Sequence, residues 1–122
     1  MNENKEYITK EEVKGSINIS GEVIAAVAAG AALEVEGVAG VGGTGKDIVD
    51  FLSSKKNVSR GVKIGSDQDL LNIEMSVMLN LGAEIGAVAK KIQTVVMDAV
   101  EATTGLKVGT VNIHVSGLAL NK

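Results

Sequence analysis

The chain contains no cysteine, no proline and no tryptophan, and it holds a single tyrosine, a single phenylalanine and a single histidine. Without thiols there can be no disulfide scaffold and no thiolate metal site, and the chain suits a reducing compartment. So few aromatic rings leave nucleobases little to stack on. The formal net charge of −3 gives no general attraction to nucleic acid or to an anionic membrane, so no nucleic-acid partner is expected. One histidine and no paired-carboxylate motif leave residue-based catalysis without its usual parts. The chain therefore reads as a non-enzyme, with no catalytic, cofactor-binding or metal-binding residues assigned. Long hydrophobic runs are missing as well. The longest apolar stretch, Val23–Leu33, falls well short of the ~20 residues a spanning helix needs, and direct membrane insertion is not expected.

What remains is a chain of 122 residues, 45% hydrophobic and 22% charged. That length suits one domain, in which roughly two thirds of the unfolded chain's surface becomes buried. Residues 1–14 are polar, with four Glu against three Lys, and read as a mobile N-terminal tail in which Tyr7 and Ile8 can dock locally. Residues 15–122 then form the single domain.

Hydrophobic periodicity divides that domain into elements. Ile17-Asn18-Ile19 alternates as a first strand, and Ser20 is placed to cap a helix over 21–35, with Glu22 at its positive end. This helix is apolar nearly all round, which requires cover on several sides or close packing through its alanines. Gly37 is a natural terminator. Val38 and Val41 fit a short strand, Lys46–Ser54 a short helix, and 61–66 a strand closed by the turn residues Ser66-Asp67-Gln68-Asp69. In 70–81, Leu71, Ile73, Met75, Val77 and Leu79 share one face, and in 108–117 so do Val111, Ile113 and Val115; such alternation predicts one buried and one wet face. Between them, 84–104 repeats Ile85, Val88, Ala89, Ile92, Val95, Val96, Ala99 and Val100 at helical spacing, ending at a Gly105 cap. The order β-α-β-(short helix)-β-β-α-β, with one apolar sheet face and two apolar helix faces, predicts an α+β two-layer sandwich. In it a mixed sheet carries both main helices on one side.

Few motifs carry chemistry. Gly40-Val41-Gly42-Gly43-Thr44-Gly45-Lys46 matches the first seven positions of a phosphate-binding loop, but the eighth is Asp47, which lacks the hydroxyl that holds Mg²⁺. It reads as a glycine-rich loop; the alternative it leaves is a small anion- or nucleotide-binding protein. Lys55, Lys56, Arg60 and Lys63 form a local basic cluster, read as a solvated loop. His114 stands alone, without acidic or histidine partners at ligand spacing in the sequence. The wet sheet face is more informative: Asn18, Asn72, Glu74, Ser76, Met78, Asn80, Asn112, His114 and Ser116 are expected to share it. A polar but nearly uncharged surface suits an interface core better than a purely solvated one. Asn72, Glu74, Met78, Asn112 and His114 are accordingly the candidate partner-binding residues.

Two segments also resemble a known family. Gly15-Ser16-Ile17-Asn18-Ile19-Ser20, running through Val23-Ile24-Ala25-Ala26-Val27-Ala28 to Glu34-Val35-Glu36-Gly37-Val38, resembles the opening of the alkaline-shock/Gls general-stress family of Gram-positive bacteria. The second segment is Ala83-Glu84-Ile85, Val88-Ala89, Lys91-Ile92-Gln93, Val96 and Val100-Glu101. It continues with Thr104-Gly105-Leu106-Lys107-Val108 and Val111-Asn112-Ile113-His114-Val115. One departure is Gly86, where family members usually carry proline. The resemblance implies a cytoplasmic, non-enzymatic adaptor of cell-envelope stress. Such proteins are held at the inner face of the membrane by a separate membrane-anchored partner and often self-associate as homo-oligomers.

Overall fold

The computed structural model describes residues 7–42 and 61–120. Strands β1 (Tyr7–Glu12) and β2 (Gly15–Ser20) form an antiparallel hairpin, and helix α1 (Gly21–Leu33) follows at once. Next come β3 (Val38–Val41), β4 (Val62–Asp67), β5 (Leu70–Asn80), helix α2 (Ile85–Thr104) and β6 (Val108–Ala119). The short helix expected over 46–54 lies outside the described residues.

Strand β5 is the spine of the main sheet. Its N-terminal half pairs antiparallel with β4 and its C-terminal half with β3, while β6 runs parallel along its other side. The β4–β5 connection is a two-residue turn with Gln68 at φ 53° and Asp69 at φ 70°, the type I′ geometry that matches the twist of a tight hairpin. Parallel pairing of β5 with β6 requires a crossover, and α2 supplies it. Leu71, Ile73, Met75, Val77 and Leu79 are buried beneath the two helices, which makes the fold the expected α+β two-layer sandwich.

The helices start and stop where local chemistry allows. The Ser20 hydroxyl accepts the Glu22 N–H at 3.0 Å, which satisfies a donor that the first helical turn leaves without a partner. Gly105 ends α2 in the left-handed region, φ 77°, with its N–H on the Glu101 carbonyl at 2.9 Å. Of the expected stripe on α2, Ile92, Val96 and Val100 are buried and Val88, Ala89, Val95 and Ala99 half-buried. Ile85, by contrast, stays 45% exposed.

The N-terminal region departs from expectation in two ways. Residues 7–12, expected within a mobile tail, form β1, with Ile8 opposite Ile19 and both packed against the core. Consequently Asn18 does not join the main sheet: β2 pairs with β1 alone, and Asn18 accepts a hydrogen bond from Thr9 across the hairpin at 2.7 Å.

Candidate functional site

Among the described residues, the outer face of the main sheet carries no helix. Even-numbered positions of β5 point to it, and the register fixes their neighbours. Asn72 stands opposite Thr110, Glu74 opposite Asn112, Ser76 opposite His114 and Met78 opposite Gly117. From the other side, β4 sets Lys63 against Glu74 and Gly65 against Asn72. The five candidate residues, Asn72, Glu74, Met78, Asn112 and His114, therefore share one continuous surface.

Polar contacts across that surface are shallow. Thr110 donates to the Asn72 side-chain oxygen at 3.0 Å. His114 Nε2 lies 4.0 Å from Glu74 Oε1, both side chains more than half exposed, so a pair there contributes little even when the imidazole is protonated. The sequence showed no acidic neighbour for this histidine; strand pairing brings one. With Lys63 also beside Glu74, charge on the face is balanced and local. Met78 is half-buried, and its Cε lies 3.5 Å from the point where a Cβ on Gly117 would sit.

Ser116 is exposed, as expected, but a bulge takes it out of the pairing register. The β5–β6 register shifts between Val77 and Met78, so Gly117 and not Ser116 faces Met78. The Ser116 hydroxyl lies 3.2 Å from both the Gly42 and the Val77 carbonyl oxygens. The available signal was Ser116-Gly117, since glycine within a strand often marks a bulge.

Gly42 and Gly61 meet beside this point. The Gly42 N–H donates to the Ser76 carbonyl, and the Ser76 N–H donates to the Gly61 carbonyl, both at 2.8 Å. A Cβ on Gly61 would come within 2.9 Å of Gly42 Cα, and φ there is +88°, so glycine is required on both counts. The first positions of the phosphate-loop-like motif are thus part of the sheet: Gly40 and Val41 pair with Met78 and Val77. Gly43–Lys46 and the basic residues Lys55, Lys56 and Arg60 lie outside the described residues. Among the described residues no three His, Cys, Asp or Glu side chains cluster to hold a metal ion, and no helix is long and apolar enough to cross a membrane.

Comparison with known proteins gives a consistent result. The chain is 40% identical over 106 residues to the uncharacterized protein YloU of Bacillus subtilis (strain 168), covering 85% of this chain and 88% of that protein. It is 32% identical to the uncharacterized protein Spy1614 of Streptococcus pyogenes serotype M6, again over 85% of this chain and 88% of the relative. A third relative, the uncharacterized protein YqhY of Bacillus subtilis, is 32% identical over 85% of this chain and 77% of its own length. No solved structure matches. The model of the alkaline-shock protein 23 family, described as having a cell envelope-related function, matches residues 9–120. With the expected two-layer fold in place, that match makes the chain a member of this cell-envelope family.

Proposed function

We propose that the protein is a non-enzymatic adaptor of cell-envelope homeostasis and stress response, with the open sheet face as its partner-binding surface. A separate membrane-anchored protein holds it at the inner face of the cell membrane, and copies of the chain associate with one another. The observation that carries this reading is the open face itself. Among the described residues it is a surface without a helix, with three side-chain amides, a methionine and one balanced group of charges at Lys63, Glu74 and His114. Low charge is a property of an interface core, and Met78 and the exposed Leu70 give this one its apolar contact points. The family's cell envelope-related function supplies the setting. The alternative, anion binding by Gly40–Lys46, has less support, because Gly40 and Val41 are committed to β3 and the Gly42 N–H to Ser76.

The test is recovery of the envelope partner from native membranes. Glu74→Arg with Asn112→Arg places two cations on the face, where desolvating them opposes docking. Partner recovery is expected to fall while the melting temperature holds, since exposed substitutions away from special features change stability by only about ±0.5 kcal/mol. Unchanged recovery from a folded variant would show that the face is merely solvated.

A further inference from the structure

Strand β6 closes the main sheet, and among the described residues no strand lies along its outer side. The start of that edge is nevertheless occupied. The Glu101 carboxylate accepts the Val108 N–H at 2.9 Å, and the Gln93 side-chain amide donates to the Val111 carbonyl at 3.0 Å. Beyond Val111 no such cover follows among the described residues. Residues two apart in a strand aim their main-chain groups the same way, so Ile113 and Val115 point outward with Val111. The bulge at Ser116 resets the alternation, and the Ala119 carbonyl faces β5, accepting the Leu81 N–H at 2.8 Å. Leu118 therefore points outward too.

Exposed edges are usually blunted by charge, proline or cover, because free N–H and C=O groups template pairing with another chain. Two other edges follow that rule, β1 with Lys10, Glu11 and Glu12 and β4 with Lys63 and Asp67, while the uncharged β2 and β3 run for only 6 and 4 residues. Strand β6 runs for 12 residues without a Lys, Arg, Asp, Glu or Pro. Its end is also apolar, with Leu118 44% exposed, Leu120 83% exposed, and Leu81, 57% exposed, joined to the adjacent Ala119.

We infer that the β6 edge from Ile113 to Leu118 pairs antiparallel with the same edge of a second copy, merging two sheets across a two-fold axis. A second copy is the fitting occupant because an isologous contact sets a segment against itself. A charged edge would then oppose like charges, and this edge has none. With the axis normal to the sheet, both helix layers fall on one side and the two open faces join on the other. Asn112 and His114 of each copy then flank the seam, doubling the surface offered to a partner. This names the contact behind the self-association proposed above and rests on that reading.

The full chain is measured by sedimentation equilibrium from micromolar to millimolar concentration, with amide exchange followed in parallel. The expected result is a dimer whose Ile113, Val115 and Leu118 amides become protected as the dimer forms. Leu118→Lys, which sets an ammonium group at each end of the seam, should return the monomer mass with an unchanged melt. If that variant does not fold, exchange on the unaltered chain decides alone. Glu74→Arg, on β5 and away from the seam, should leave the dimer intact while weakening partner recovery. A monomer across the whole range, or an oligomer whose 113–118 amides stay unprotected, overturns the proposal. A dimer of the expected kind with partner recovery untouched by Glu74→Arg would sink the open-face reading alone.

Discussion

Helix α1 buries four alanines and one isoleucine, Ala25, Ala28, Ala29, Ala32 and Ile24, whereas α2 buries three β-branched side chains, Ile92, Val96 and Val100. Both lie in the same layer and touch each other and the sheet. The difference shows two ways of filling one interior. On α1 small side chains let the backbone approach its neighbours, so added volume is what harms. On α2 bulk fills the space between helix and sheet, so lost volume is what harms. The apolar residues that α1 has in excess go outward: Val23 is 51% exposed and Leu33 43%. Of the two arrangements open to so apolar a helix, α1 takes close packing through its alanines.

The sharpest way to break this contrast is to shrink α2. Ile92 is fully buried, and Ile92→Ala removes its transfer energy and leaves a cavity, costing about 2–5 kcal/mol. Against a typical total stability of about 5–15 kcal/mol, that loss threatens the fold. A chemical denaturation curve checks it, with Lys91→Ala on the exposed side as control. Equal midpoints for the two variants would mean the buried face of α2 is wrongly placed.

Enlarging α1 is the next test. Ala28 is fully buried, and Ala28→Leu forces the helix away from its neighbours at a cost of about 1–3 kcal/mol. Adding one methylene on the outer side, Val23→Leu, should be close to neutral. If denaturant midpoints fall equally for both, α1 is not packed through its alanines.

Legibility in the sequence followed the strength of local periodicity. Both faces of β5 and the burying positions of α2 were readable because five alternating apolar residues, or a repeat held over five turns, leave few other arrangements. The five open-face candidates inherit that clarity, since alternation assigns faces without knowledge of the partner strand. Strand β1 was hidden because only Ile8 faces the core and Lys10-Glu11-Glu12 reads as tail; its pairing is set by the neighbouring β2. Asn18 was misplaced for the same reason. Alternation also fails at a bulge, where one extra residue shifts the register, and that is why Gly117 rather than Ser116 stands opposite Met78. The proximity of Glu74 to His114 depends on the β5–β6 register, which no local pattern encodes.

The smallest effect sharpens the contrast at the helix starts. Helix α1 opens with the Ser20 cap and Glu22 in its first turn, while α2 opens after Glu84 with no side-chain cap and no acid in its first turn. Gly86 sits at the second helical position with nothing within 4 Å of where a Cβ would lie. Gly86→Ala adds a methyl into open space and restricts the unfolded chain, so it should stabilise by about 0.4–1 kcal/mol. Proline at the same position should gain less. A proline disfavours the α region for the residue before it, and Ile85 is already helical. Gly86→Pro would push Ile85 out of the first turn and start the helix one residue later, offsetting part of the entropic gain. The exposed Ile85 side chain has little packing to lose in that shift. Thermal melts of the two variants should therefore rank alanine above proline, with alanine a few degrees above the unaltered chain. Proline ranking first would mean that α2 begins at Gly86 in solution and that Ile85 serves as its cap.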